Sequence, residues 1–217
     1  MEDLDLKICR SAYFNKLESL NAAFRTPHLF AELRFDLCSI PIKDIAKIKL
    51  PEKLIFTCRK GKFSYQDRIE AYRAALDLGV DFIDLDFEQD IDLLNDLESA
   101  IQLSETQLIL SQHNFKKTPE LNQLVADTHQ AFDMGADIAK IITTAKTKAD
   151  LEKIDFLYQQ FDDIIAFAMG ELGKLSRVKI LKLGAPFTYA SFSDKEQTAP
   201  GQLTMQEMVN LYQQLND

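Results

Sequence analysis

The sequence has no run of about 18 apolar residues, the length a membrane-crossing helix needs. It has no block of lysine and arginine, and its net charge is −9. Together these argue against a membrane and against nucleic acid as partners. No Gly/Pro/Ser-rich linker and no low-complexity segment interrupts the 217 residues, so they read as a single domain, 1–217. Cysteine is scarce. Cys9, Cys38 and Cys58 are far apart and form neither a CxxC nor a zinc-ligand pattern, which points to reduced thiols in a cytoplasmic protein and to no metal. The start, MEDLDLKICR, is acidic and lacks the apolar stretch of a signal peptide. There are seven glycines, and none lies in Cys9-Arg10-Ser11-Ala12, where a dinucleotide-binding sheet wants a phosphate turn.

What the chain does have is a repeated unit: a short apolar strand, then an amphipathic helix. Strands are expected at 4–10, 28–35, 53–59, 82–87, 107–113, 137–143, 164–169 and 186–190. Helices are expected at 13–25, near 41–47, and at 65–78, 91–104, 119–134, 148–160, 171–182 and 204–215. Gly79 suits a helix C-cap, and Pro119 suits a first helical turn. Such alternation requires a parallel sheet. Eight units at a spacing of about 25 residues predict an α/β fold of the (β/α)8 TIM-barrel type, with an open doubly wound sheet as the alternative.

In such a barrel the site lies at the C-terminal ends of the strands. Charged residues collect there. Strand two carries Glu32, Arg34 and Asp36 at period two; strand four carries Asp84, Asp86 and Glu88. Strand three ends at Arg59, strand five at Ser111 and His113, and strand six carries Lys140 among Ile138, Ala139, Ile141 and Ile142. From Arg34 the positions 59, 86, 113 and 140 follow at steps of 25, 27, 27 and 27. Convergence of titratable groups marks a site.

A lysine inside an apolar strand either snorkels to solvent or serves as a nucleophile for a carbonyl. His113 on the neighbouring strand is suited to move a proton on the carbon next to an iminium. Arg34 and Arg59 would act on Lys140 by repulsion. Arg177 is either an exposed helix arginine or a fork for a carboxylate. The segment TAPGQL at 198–203 is either a plain turn or a lid. His28 and His129 are read as structural.

The motifs AELRFD (31–36), FTCRKG (56–61), LSQHNFKKTP (110–119), GADIAKI (135–141), AMGELGKLSR (168–177) and TAPGQL (198–203) resemble, in order and spacing, the type I 3-dehydroquinate dehydratases. The resemblance implies a barrel that needs no cofactor and no metal and acts on 3-dehydroquinate in the shikimate pathway. It implies that Lys140 forms the Schiff base and His113 shuttles the proton. Glu32, Arg34 and Arg59 would hold ring hydroxyls, while Arg177, Gln202 and Thr198 would hold the carboxylate. Phe167 and Met169 would line the pocket beneath Lys140. The family often forms dimers, so a homodimer remains open.

The chain departs from the family pattern at Phe63, where a glutamate often supports the histidine; Asp86 is the expected substitute. Thr198 stands for the lid serine, and Tyr189 is the expected lid aromatic. Two other readings stay open. One is a class I aldolase, which would want a glycine-rich anion nest near strands seven and eight. The other is a non-catalytic barrel that senses a metabolite.

Overall fold

The computed structural model describes residues 2–192 and 202–215. Eight parallel strands form one sheet: β1 (Ile8–Ala12), β2 (Phe30–Arg34), β3 (Lys53–Thr57), β4 (Phe82–Asp86), β5 (Gln107–His113), β6 (Ile138–Thr144), β7 (Ile164–Met169) and β8 (Thr188–Ser191). Each of β2 to β7 is hydrogen-bonded to the strand before it, and β8 returns to pair with β1. The sheet thereby curls into a nearly closed barrel. Helices α1 (Glu2–Asp5), α2 (Leu17–Ala23), α3 (Tyr65–Leu78), α4 (Ile91–Gln102), α5 (Leu121–Asp133), α6 (Lys148–Leu157), α7 (Ser176–Leu183) and α8 (Met205–Gln214) alternate with the strands. No helix among the described residues is long and apolar enough to cross a membrane.

Alternation along each strand sorts the side chains. Leu33, Phe56, Ile83, Leu85, Leu110, Ala139 and Ala166 face outward and bury against the helices. Phe30, Ile55, Phe82, Ile109, Ile138, Ile165 and Phe187 face inward and fill the barrel floor. Phe30, Phe82 and Phe187 pack there with ring centroids 4.8 to 6.0 Å apart. Each such buried side chain contributes about 1.5–3 kcal/mol. Above this floor the inward positions turn polar: Glu32, Thr57, Asp84, Ser111 and Lys140 are all buried. The change from phenylalanine to charge along one face defines the bottom and the mouth of the barrel.

Local chemistry explains the helix limits. Ser64, Thr147 and Thr204 each cap a helix reciprocally with the acidic residue three positions on. Gly79 ends α3 in the left-handed conformation, φ 78°.

Several expected boundaries shift. Residues 4–10 are not one strand: Glu2–Asp5 is a helical turn, and its apolar neighbours are divided, Leu4 packing toward α8 and Leu6 onto the barrel floor. Residues 42–47 form a 3-10 helix, α2 is shorter than 13–25, and Pro119 lies just outside α5. The largest shift is at 171–182, where the helix begins only at Ser176. Gly170 has φ 84°, and Gly173 lies so close to β7 that an added Cβ would meet the Ala168 carbonyl oxygen at 2.3 Å. The Ser176 hydroxyl accepts from the Ala168 N–H at 3.0 Å and donates to the Gly173 carbonyl at 2.6 Å. This turn folds back over the end of β7 before the helix starts.

Candidate active site

A cavity of about 350 Å³ opens at the C-terminal ends of the strands. Its lining includes Glu32, Arg34, Arg59, Asp86, His113, Lys140, Phe167, Met169, Arg177 and Gln202. Ten of the eleven sequence-expected site residues are therefore brought together. The eleventh, Thr198, lies outside the described residues.

Lys140 projects from the middle of β6 and is buried. Its Nζ donates to Asp84 Oδ2 at 2.8 Å and stands 3.9 Å above the centre of the Tyr189 ring. Asp84 is wholly buried on β4. Its Oδ1 accepts from Arg59 Nη2 at 2.6 Å and from the Ser111 hydroxyl at 2.7 Å. Burial opposes the charge on Asp84, yet Arg59 and Lys140 hold its carboxyl well below the usual carboxylate range. The sequence expectation that Arg59 and Arg34 act on Lys140 by repulsion omitted this anion. Arg34 itself is engaged bidentately by Asp36, at 3.0 and 2.8 Å.

His113 ends β5 one layer nearer the mouth. Lys140 is in register with Ser111, whereas His113 is in register with Ile142. Burial, then Lys140 and Arg59, push the His113 imidazole well below its ordinary pKa. Among the described residues its ring makes no hydrogen bond. It is stacked instead on Phe115, with centroids 6.0 Å apart and planes 16° apart.

Arg177 enters the cavity from the first turn of α7. Only 3% of the residue is exposed, and its guanidinium lies 4.4 Å over the Phe167 ring. Among the described residues no carboxylate faces it, and burial alone brings its pKa down to about 10. An unpaired buried cation is costly and awaits an anion. Gln202, buried beside it in the cavity wall, donates to the Ala190 carbonyl at 2.9 Å.

A family model described as type I 3-dehydroquinase matches residues 13–217. The chain belongs to this family. It is 35% identical over 191 residues to the 3-dehydroquinate dehydratase of Desulfotalea psychrophila, covering 83% of this chain and 84% of that one. To the 3-dehydroquinate dehydratase of Methanococcus vannielii it is 37% identical over 193 residues, covering 83% and 86%. The fold is similar to the type I 3-dehydroquinate dehydratase of Clostridium difficile solved with covalently modified comenic acid, with TM-score 0.81 at 22% identity over 96% of this chain and 92% of that one. It is also similar to the 3-dehydroquinate dehydratase of Aquifex aeolicus, with TM-score 0.77 at 24% identity over 95% and 97%.

Within this type I 3-dehydroquinase barrel, three expectations need correction. Asp86 lines the cavity but does not hydrogen-bond His113. Its Oδ1 accepts from the backbone N–H groups of Glu88 and Gln89, at 3.1 and 3.0 Å, and its Oδ2 from the Gln89 side chain. A short loop after β4 leaves two amides unsatisfied, and the nearest carboxylate takes them. Phe167 and Met169 are not beneath Lys140. The residue in register with Lys140 is Ile165, so they stand two and four residues closer to the mouth. Tyr189 is no lid residue: it lies within β8, inside the barrel, with its ring under Lys140. Phe63, at the position where a glutamate was considered, stacks on Phe35 at 5.5 Å, with planes 15° apart, and stays outside the cavity lining.

Sequence reasoning gave no role to Asp84, Thr57, Ser11 or Phe115. The Glu32 carboxylate accepts from both the Ser11 and the Thr57 hydroxyls, the latter at 2.9 Å. The signal for Asp84 was present, since it shares the inward face with Asp86. For Phe115 there was none, because a loop aromatic carries no periodicity.

Proposed function

We propose that Lys140, His113 and Arg177 divide the work of dehydrating 3-dehydroquinate. The type I reaction removes water from this substrate through a lysine Schiff base and gives 3-dehydroshikimate. The observation that carries the assignment is the buried Lys140–Asp84 contact opening into a cavity that also holds His113 and Arg177, which no carboxylate faces among the described residues.

Arg177 takes the substrate carboxylate, with Gln202 and Thr198 beside it. That orients the ring so that its C3 ketone reaches Lys140. Lys140 Nζ passes a proton to neutral His113 and adds to C3; His113 returns that proton to the carbinolamine hydroxyl, which leaves as water, and a cationic iminium remains. The iminium withdraws electrons from C2, whose proton passes to neutral His113, giving an enamine. The enamine expels the C1 hydroxyl as His113 returns the proton to it, and one molecule of water leaves. Addition of water to the conjugated iminium then frees the product and restores the amine. Glu32, Arg34 and Arg59 hold the ring hydroxyls; Phe167 and Met169 form an apolar wall. Asp86 supports the site by fixing the loop after β4.

The His113 shift suits this role. A base held below its ordinary pKa is neutral, hence able to accept the proton, throughout the physiological range. A class I aldolase acting on a phosphorylated substrate fits less well. The β7–α7 turn uses Gly173 for close packing against β7 and Gly170 for a left-handed backbone, φ 84°. A non-catalytic sensor would not need both Lys140 and His113 in one cavity. The reading takes residues 1–217 as one catalytic domain in the cytoplasm, to which three free, buried thiols are suited. Sedimentation tests the homodimer.

The experiment is borohydride trapping during turnover of 3-dehydroquinate, with mass spectrometry of the peptides and absorbance of the enone product. A reduced adduct on Lys140 together with enone formation is expected. Absence of both overturns the assignment.

A further inference from the structure

Phe115 is 69% exposed, yet the loop that carries it is pinned on every side. The Asn114 N–H donates to the Ile142 carbonyl at 2.8 Å, and the Asn114 carbonyl accepts from the Thr144 hydroxyl at 3.0 Å. The Asn114 side-chain oxygen accepts from the N–H groups of Lys116 and Lys117, at 3.1 and 3.0 Å, closing an Asx turn around Phe115. Thr118 ties the far end of the loop to the Thr143 hydroxyl at 2.8 Å. A large apolar side chain held out toward water on a rigid turn, at the mouth of a reactive cavity, invites a functional account. Its ring lies nearly parallel to that of His113.

We infer that Phe115 is the positioning residue for His113, fixing the plane of an imidazole that no hydrogen bond among the described residues holds. A general base must present its lone pair along the line to the proton it takes, and its free rotation about χ2 would spread that line over many directions. Offset stacking narrows the rotation without consuming either ring nitrogen, so one remains able to accept the C2 proton and to return it. A carboxylate partner would fix the ring too, but would favour the imidazolium. The stack fixes it neutral. The charged groups acting on His113 are Lys140 from β6, Arg59 after β3, Asp84 from β4 and Arg34 from β2, and none of them lies on the loop that bears Phe115. The inference rests on the proposed role of His113 in dehydration.

The test compares Phe115→Leu and Phe115→Tyr in the full-length enzyme. Phe115→Leu is expected to lower kcat about tenfold with KM changed less than about twofold, and to move the acid limb of kcat/KM upward in pH as water reaches the imidazole. Phe115→Tyr, which keeps the stack, is expected to stay within about threefold of the parent on all counts. Asn114→Ala, which loosens the turn, should give a weaker copy of the leucine variant. NMR titration of the His113 ring proton, assigned with His113→Ala, reads the same upward shift without substrate. An unchanged kcat and an unmoved His113 titration in Phe115→Leu overturn the inference, as does an effect confined to KM. Should the parent enzyme fail to dehydrate 3-dehydroquinate, the assignment of function falls instead, while the titration still decides the stack.

Discussion

Asp84 divides its carboxylate between two cations: Oδ2 lies 2.8 Å from Lys140 Nζ, and Oδ1 lies 2.6 Å from Arg59 Nη2. One buried anion thus fixes the reactive nitrogen and the arginine at the rim together. Asp84→Asn keeps the shape and removes the charge. Leaving buried Lys140 and half-buried Arg59 short of their anion should destabilise the fold by about 3–5 kcal/mol in urea denaturation. It should also lower kcat, as Nζ loses its fixed position.

The same residue gives a pH dependence. Its carboxyl is held below the ordinary range in the folded protein, so its contribution to stability is complete above pH ~4 and is lost as pH falls below that value. Acid denaturation of Asp84→Asn, followed by circular dichroism, should therefore show a shallower loss of stability below pH ~4 than the parent.

Arg177 is a buried cation that no protein carboxylate faces among the described residues. Arg177→Met should raise KM by ~30- to 100-fold, the loss of a charge-assisted pair of hydrogen bonds to the substrate carboxylate. Its unfolding midpoint should equal or exceed that of the parent, because removing an unpaired buried charge relieves the empty protein. A fall in stability with no change in KM would show that Arg177 is structural.

Gly173 tests how that arginine is delivered. Gly173→Ala forces a Cβ against the Ala168 carbonyl, which must move the β7–α7 turn. The expected result is a higher KM with a much smaller change in kcat, since the turn carries Arg177 and not Lys140.

His113→Ala should reduce turnover by ~10²- to 10⁴-fold while leaving Lys140 open to trapping by borohydride. In the parent, the depressed imidazole places the acid limb of kcat/KM below pH ~6.5, because the base stays neutral down to its lowered pKa.

Much of this was legible in the sequence because period-two alternation is a direct record of which face is buried. It placed Glu32, Arg34, Asp84 and Asp86 on one face without any coordinates, while the spacing of strand-end residues brought His113 and Lys140 to the same mouth. It failed where tertiary packing overrides local pattern. Residues 171–175 have the composition of a helix start, but the close approach of Gly173 to β7 is invisible until the strand is in place. Asp86 read as a support for His113 because it lies on the strand between those of Arg59 and His113; the unsatisfied amides of Glu88 and Gln89 claim it instead. Tyr189 read as the equivalent of the family's lid aromatic, whereas its strand position turns it inward.

The placement of Asp84 bears on how little must rearrange during covalent capture. An ammonium and an iminium both carry one positive charge at the same nitrogen. The field that Asp84, Arg59 and the Tyr189 ring impose on Lys140 is therefore already matched to the iminium that follows. Such a site avoids the reorganisation of dipoles that water would undergo at this step, and most of its polar framework was set when the barrel folded.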